Sequence, residues 1–329
     1  MKRSVFANSA GRAANFYGEA LSSSPAFLDD VLQGLAQPQK YVPPKYFYDA
    51  RGSELFEVIC ATPEYYPTRV EMGIMEANVA DMARHIPAGH ALIELGSGAS
   101  LKTRLLIQHA RPAVYVPIDV SASALQQACK QLAWRFPTLE IEPRTGDFTS
   151  FRLPELDARN RVVYFPGSTI GNFHPEEAVA FMRGLNEQLR SGDLLLIGVD
   201  LKKDEGMLNA AYNDAQGVTA AFNLNLLERI NRELGADFDI DSFRHLAFYN
   251  AERGWVEMHL QACRAMQVHL AGQTFDFRAE ETVHTEISCK YALEEFQGLA
   301  VRAGFTTQAA WTDAARLFSV FLLRAGPDA

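Results

Sequence analysis

At 329 residues, 48% of them hydrophobic and 22% charged, the chain exceeds one average domain and carries enough apolar side chains for a sizeable core. Its 31 Lys and Arg against 40 Asp and Glu leave a net charge of −9, with no dense basic run. That balance disfavours a nucleic-acid substrate, because a phosphate backbone demands a basic face, and makes a small molecule the expected partner.

The first forty residues read as polar at the start and helical around Pro25 to Leu35. A tyrosine-dense stretch follows, stiffened by Pro43-Pro44, and Asp49 to Gly52 reads as a turn into a short helix. Tyr65 and Tyr66 then sit side by side between Pro63 and Pro67. Such a pair either covers an edge of the core or forms a rigid aromatic wall of a pocket. From Glu71 to His85 the apolar spacing predicts a helix.

The stretch from Ala91 to Ile107 reads as buried strand, glycine turn and helix: A-L-I-E-L, then Gly96 and Gly98, then Leu101, Leu105 and Leu106 at helical spacing. Glycines allow backbone to approach a ligand closely, and the amides opening the helix present a partly positive concave surface. A dinucleotide fingerprint wants a third glycine where Leu101 stands, so the pyrophosphate-binding version is incomplete. The form E-L-G-S-G resembles instead the first motif of class I S-adenosylmethionine-dependent methyltransferases, whose ligand has no phosphate.

The pattern then repeats. A second strand, Ala113 to Asp119, ends in an acid suited to accept both ribose hydroxyls of a nucleoside. Ser121 caps a helix running to Phe136. A strand at 139–142 leads to Asp147-Phe148, an acid and an aromatic that could bond and stack an adenine, and Arg161 to Phe165 is a further strand. Its following loop, P-G-S-T-I-G-N, holds Ser168, Thr169 and Asn172 at the carboxyl end of a parallel strand, where open α/β sheets bind ligands. A helix from Pro175 to Arg190 and a strand from Asp193 to Asp200 complete the alternation expected of a doubly wound sheet. Residues 201–290 break it with a striped helix (Val218, Phe222, Leu226, Ile230) and period-two runs at 255–260, 267–270, 274–277 and 283–288, read as an inserted antiparallel domain. A helix (Leu293 to Ala303) and a closing strand pair ending at Leu323 return to the first pattern.

Cys60, Cys129, Cys263 and Cys289 are far apart in sequence, so neither a disulfide framework nor a zinc site is suggested, and a cytoplasmic location is expected. The 8 histidines lack ligand spacing, so no metal is expected. The basic start lacks an apolar core, and no run approaches the ~18 apolar residues of a membrane helix, so neither a signal peptide nor membrane contact is expected.

Seven stretches carry a closer resemblance: Y-F-Y-D-A-R-G-S-E-L-F (46–56), P-E-Y-Y-P-T-R (63–69), E-L-G-S-G-A-S-L-K-T-R (94–104), G-D-F (146–148), G-S-T-I-G-N (167–172), A-Y-N-D-A-Q-G-V-T-A-A-F-N (211–223) and T-E-I-S-C-K-Y (285–291). Together the chain resembles the histidine-specific Nα-methyltransferases of ergothioneine biosynthesis, with Ala99 and Leu101 as mild departures in the glycine loop. The resemblance implies a class I methyltransferase fold, α/β with a mostly parallel doubly wound sheet, over 69–200 and 291–329. It also implies a second α+β, substrate-binding domain over 1–68 and 201–290. It implies an S-adenosylmethionine site at Tyr48, Gly96, Lys102, Asp119, Asp147 and Phe148. It implies an L-histidine site at Tyr65, Asn172, Tyr212, Glu286 and Ser288, with Asn172, Tyr65 and Tyr212 nearest the chemistry, in a monomeric enzyme. Taken alone, Glu286 alternating with Ile287 and Ser288 reads as an exposed strand face; within the T-E-I-S-C-K match, a carboxylate and a hydroxyl suit an imidazole. Two other functions remain open on the residues: methylation of another amino acid such as tryptophan, and a nicotinamide-dependent oxidoreductase, which the missing glycine disfavours.

Overall fold

A computed structural model of the chain describes residues 25–98, 101–150, 152–156 and 160–326. The polar segment expected before residue 25 and the departure at Ala99 lie outside the described residues. In chain order the elements are α1 (Pro25–Leu35), β1 (Lys40–Tyr41), α2 (Ala50–Ala61), α3 (Tyr66–His85), β2 (Ala91–Leu95), α4 (Leu101–Ala110), β3 (Val114–Asp119) and α5 (Ala122–Arg135). The strands β4 (Glu140–Ile141), β5 (Arg144–Thr145) and β6 (Arg161–Phe165) follow, then α6 (Pro175–Gln188), β7 (Leu194–Asp200), α7 (Glu205–Ala211) and α8 (Val218–Leu234). Last come β8 (Phe243–Asn250), β9 (Trp255–Ala262), β10 (Met266–Leu270), β11 (Gln273–Phe277), β12 (Thr282–Cys289), α9 (Leu293–Arg302), β13 (Phe305–Thr312) and β14 (Phe318–Ala325). They form two compact units, one of residues 67–202 and 290–326, the other of 25–66 and 203–289.

The first unit is a sheet of strand order β13-β14-β7-β6-β2-β3-β4, with β5 also paired to β3. The pairs β6–β7, β2–β6, β2–β3, β3–β4 and β3–β5 are parallel, and β14 runs antiparallel to both β7 and β13. Every residue of β2, β6 and β7 is buried, as continuous apolar runs covered by helices on both faces should be. One layer of the core joins Ile74, Met75 and Met82 of α3 and Leu132 of α5 to Leu92, Tyr115, Val162 and Leu196 on the strands. Two buried ion pairs brace this unit: Arg161–Asp193 at 2.8 Å and Lys290–Asp200 at 2.8 Å.

In the second unit the sheet order is β1-β12-β9-β8, with β1 parallel to β12 and the other pairs antiparallel, beside a β10–β11 hairpin. Helix α8 packs its Phe222, Leu226 and Ile230 stripe on β8, β9 and α2. The early segment is fastened to this helix by polar contacts. Arg229 donates to the Tyr46 carbonyl (2.9 Å) with its guanidinium 4.9 Å from the Phe27 ring, and Asn225 donates to Asp49 (2.9 Å). Asp49 is also the N-cap of α2, accepting from the Gly52 amide at 2.7 Å.

Several elements differ from the sequence reading, the two-residue strands β1 and β5 among them, which are too short to leave a pattern. Helix α3 begins at Tyr66, five residues before Glu71, because Pro67 suits a first turn whose N–H has no helical partner. The strand expected at 139–142 is cut to β4 because Pro143 cannot donate to a ladder. Helix α7 is too short to show a periodic stripe. Strand β8 was also unforeseen, since F-R-H-L-A-F-Y-N lacks clean alternation and only Phe243 and Ala247 are buried along it.

Candidate active site

The carboxyl ends of the first unit's parallel strands gather its candidate residues. After β2 the chain turns through Gly96 (φ +71°) and Gly98 (φ +44°), conformations that a side chain would strain, and a Cβ on Gly96 would come 3.7 Å from the Phe148 ring. Asp119, ending β3, clasps this turn: its carboxylate accepts from the Gly98 amide (3.1 Å) and the Ser121 amide (2.8 Å). Burial raises its pKa, against those amide donors, which favour the charged form. A carboxylate has about four acceptor positions, so capacity for a hydroxyl donor remains beside these amides. Asp147 folds back to accept from Thr149, while Phe148 stands edge-on to Phe165 (5.4 Å) and Phe181 (6.1 Å).

Lys102, in the first turn of α4, forms an ion pair with Glu71 of α3, and both Glu71 oxygens accept from the Gly167 amide (3.1 and 3.0 Å). Glu71 is fully buried and joins the helix after the glycine turn to the loop after β6. The sequence reading passed over it as the start of a helix; its one signal was an acid among apolar core positions. In that loop Ser168 takes a left-handed conformation (φ 56°) and accepts from the Asp200 amide (2.9 Å). The single turn Thr169–Asn172 then leaves Asn172 half-buried. Just before the glycine turn lies Glu94, buried in β2 and hydrogen-bonded by Thr103 (2.6 Å) and Tyr115. Burial pushes its pKa up to about 7 despite those donors.

The second unit holds a cavity between α2, α8 and β12. Tyr48, Phe56, Tyr65, Tyr212 and Phe222 supply its aromatic lining, and Glu286 its charge. The rings are mutually edge-on: Tyr65–Tyr212 at 6.3 Å, Phe56–Tyr65 at 6.3 Å and Tyr48–Phe56 at 5.6 Å. Burial, with Tyr212, Cys60, Tyr48 and Glu286 nearby, raises the Tyr65 hydroxyl well above its ordinary pKa, so it stays protonated. Ser288, two residues after Glu286 on β12, is buried on the same strand face.

The structure thus brings Gly96, Lys102, Asp119, Asp147, Phe148 and Asn172 to the loops of one unit, and Tyr48, Tyr65, Tyr212, Glu286 and Ser288 to the other. Tyr48, grouped by the resemblance with the nucleoside site, lies on the wall shared by Tyr65 and Tyr212. Phe56 and Phe222 were not foreseen as lining, although both stand inside the motifs quoted above.

The profile of the family described as histidine-specific, S-adenosylmethionine-dependent methyltransferases matches residues 27–325. A "Histidine N-alpha-methyltransferase" of Mycolicibacterium smegmatis is 42% identical over 314 residues, covering 93% of this chain and 97% of that one. An "Ergothioneine biosynthesis protein 1" of Neurospora crassa is 30% identical over 83% of this chain and 32% of its own length. An "L-tryptophan methyltransferase" of Psilocybe serbica is 26% identical over 93% of this chain and 95% of its own. With glycine turn, strand-end acid and aromatic cavity in place along a near full-length match, the chain belongs to the histidine-specific, S-adenosylmethionine-dependent methyltransferase family.

Proposed function

We propose that the enzyme trimethylates the α-amino group of L-histidine, giving Nα,Nα,Nα-trimethylhistidine for ergothioneine biosynthesis. The observation that carries this reading is the aromatic cavity with Glu286 as its acid, which offers an acceptor for an imidazole N–H. The 42% identity to a histidine Nα-methyltransferase, against 26% to a tryptophan methyltransferase, supports histidine over an indole substrate, whose single N–H calls less for a carboxylate paired with a hydroxyl.

On this reading the first unit is the donor domain and the second the amino-acid domain. Asp119 accepts the ribose hydroxyls, Asp147 and Phe148 hold the adenine, Gly96 gives backbone clearance, and Lys102 and Tyr48 complete the donor set. Bound S-adenosylmethionine would supply a methyl group on its sulfonium sulfur, open to in-line displacement with the neutral thioether, S-adenosylhomocysteine, as leaving group. Catalysis then rests on positioning the amine lone pair. Asn172 offers its carbonyl to the amine, Tyr65 and Tyr212 hold the substrate's backbone end, and Glu286 with Ser288 takes the imidazole. Tyr65, kept protonated, acts as a hydrogen-bond donor and not as a base. An apolar, tyrosine-lined wall disfavours the ammonium form, so the amine sheds its proton to solvent before each transfer. Each added methyl replaces an N–H with apolar surface that aromatic walls tolerate, and the quaternary product lacks both lone pair and donor, so reaction stops there. The enzyme works as a cytoplasmic monomer without a metal.

The test is mass spectrometry of the purified enzyme with S-adenosylmethionine and a mixture of the standard amino acids. A mass gain of three methyls on histidine alone is expected. Methylation of another amino acid in preference, or arrest at one methyl with donor in excess, overturns the reading.

A further inference from the structure

The motif A-Y-N-D-A-Q-G-V-T-A-A-F-N ends in Asn223, which is fully buried on α8 and is not among the residues lining the aromatic cavity. Its amide makes a complete set of contacts. The nitrogen donates to the His259 carbonyl (2.9 Å), which fixes which end of the amide is which. The other N–H meets Nδ1 of His245 at 2.9 Å, so that nitrogen must accept. Nε2 of His245 therefore carries the ring proton and donates it to the Tyr212 carbonyl at 2.9 Å. On its far side Oδ1 of Asn223 accepts from the Thr285 hydroxyl at 2.9 Å, an oxygen also 3.1 Å from the Met258 carbonyl.

Thr285 is no ordinary strand residue. The β12–β9 register shifts between His284 and Glu286, so Thr285 is the extra residue of a bulge. A bulge re-aims the side chains that follow it, and a one-residue slip in a strand exchanges its faces. The bond from Thr285 to Asn223 thus pins the point that decides which way Glu286 and Ser288 point. The same amide, through His245, holds the backbone of Tyr212 on the other wall.

We propose that Asn223, His245 and Thr285 are positioning residues of the amino-acid cavity, one buried network that sets the separation between Tyr212 and Glu286 and hence substrate fit, without a part in donor binding. The inference rests on the reading of this cavity as the amino-acid site. All four bonds are internal to the second unit, and a fully satisfied buried network is rigid because every alternative leaves a polar group unpaired. Burial holds the His245 pKa below its ordinary value, in keeping with the single neutral tautomer the contacts require.

The experiment compares wild type with Thr285→Val, which keeps the shape and removes the hydroxyl, Thr285→Ser, which restores it, and His245→Phe, which cuts the link to Tyr212. For each, KM and kcat are measured for the amino acid that wild type methylates best, and donor affinity by calorimetry. Thr285→Val and His245→Phe should raise the amino-acid KM at least tenfold with donor affinity unchanged within twofold, and Thr285→Ser should return KM to near the wild-type value. An unchanged KM in both, or a loss of donor affinity equal to the rise in KM, overturns the proposal. If Thr285→Val binds no donor because it does not fold, His245→Phe alone decides by the same criteria. Wild type that methylates an amino acid other than histidine overturns the histidine reading while leaving this test decisive; wild type that takes no amino acid overturns both.

Discussion

Replacing Glu94 with Gln isolates the cost of a buried carboxylate just before the glycine turn. Burial lifts its pKa from 4.5 to about 7, so an unfolded chain releases this proton first as pH rises. The folded-state pKa is the higher one: Glu94's contribution to stability is complete below 4.5 and is lost as pH climbs through 7. The shift of about 7 − 4.5 = 2.5 units, at ~1.4 kcal/mol per unit, amounts to roughly 3 kcal/mol at full development. About 2.5 kcal/mol of it falls between pH 5 and pH 8. Glutamine has the same shape, can accept from Thr103 through its oxygen and can donate to the Tyr115 hydroxyl through its nitrogen. Any constant change in those bonds cancels when the variant and wild type are compared across pH. His90, whose burial pushes its pKa down to about 4, titrates alike in both proteins and cancels too. The assay is urea unfolding followed by tryptophan fluorescence in a Trp255→Phe background, so that Trp134 and Trp311 report the unit containing Glu94. The stability of Glu94→Gln relative to wild type should rise by about 2.5 kcal/mol from pH 5 to pH 8. A difference flat across that range, or one that falls, refutes the account of Glu94 as a carboxylate held near neutrality by burial.

Two further outcomes bear on the sites. Asp119→Ala should weaken S-adenosylmethionine binding by about 1.5–3 kcal/mol, the scale of hydrogen bonds to a charged acceptor, and calorimetry that finds an unchanged affinity in folded variant removes Asp119 from the ribose site. Glu286→Ala should leave donor affinity intact and lower the ratio of kcat/KM for histidine over tryptophan, since a site built around a hydrogen bond loses its preference with the acceptor; a ratio that stays put means Glu286 does not select.

The parallel sheet was legible because its strands are continuous apolar runs punctuated by glycines and acids, signals that depend on neighbours in sequence. Asp119 and Asn172 stood out for the same reason, since the end of a strand is a local feature. Glu71, Asn223 and His245 were not legible, because each acquires its meaning from partners far along the chain: Gly167 for Glu71, Thr285 for Asn223, the Tyr212 carbonyl for His245. On its own residues Tyr65 reads better as a core edge than as a pocket wall; the resemblance alone assigns it to a substrate site, because its edge-on contacts with Tyr212 and Phe56 need three separate segments to meet.

The position of β14 has a consequence for how the chain is made. This strand lies between β7 and β13, and it is the last of the described elements to leave the ribosome. Until it arrives, β7, all of whose residues end up buried, presents an unpaired and strongly apolar edge, the kind of edge that recruits strands from other molecules. Strand β1 likewise waits for β12, more than two hundred residues later, as its Lys40–Val283 register shows. Both sheets close late and through distant contacts, which slows folding and prolongs exposure of sticky surface. Nascent chains arrested before Phe318 should therefore need chaperone cover, and a stop codon there should send the protein to aggregates or proteases even though the glycine turn and the aromatic cavity have already been synthesised.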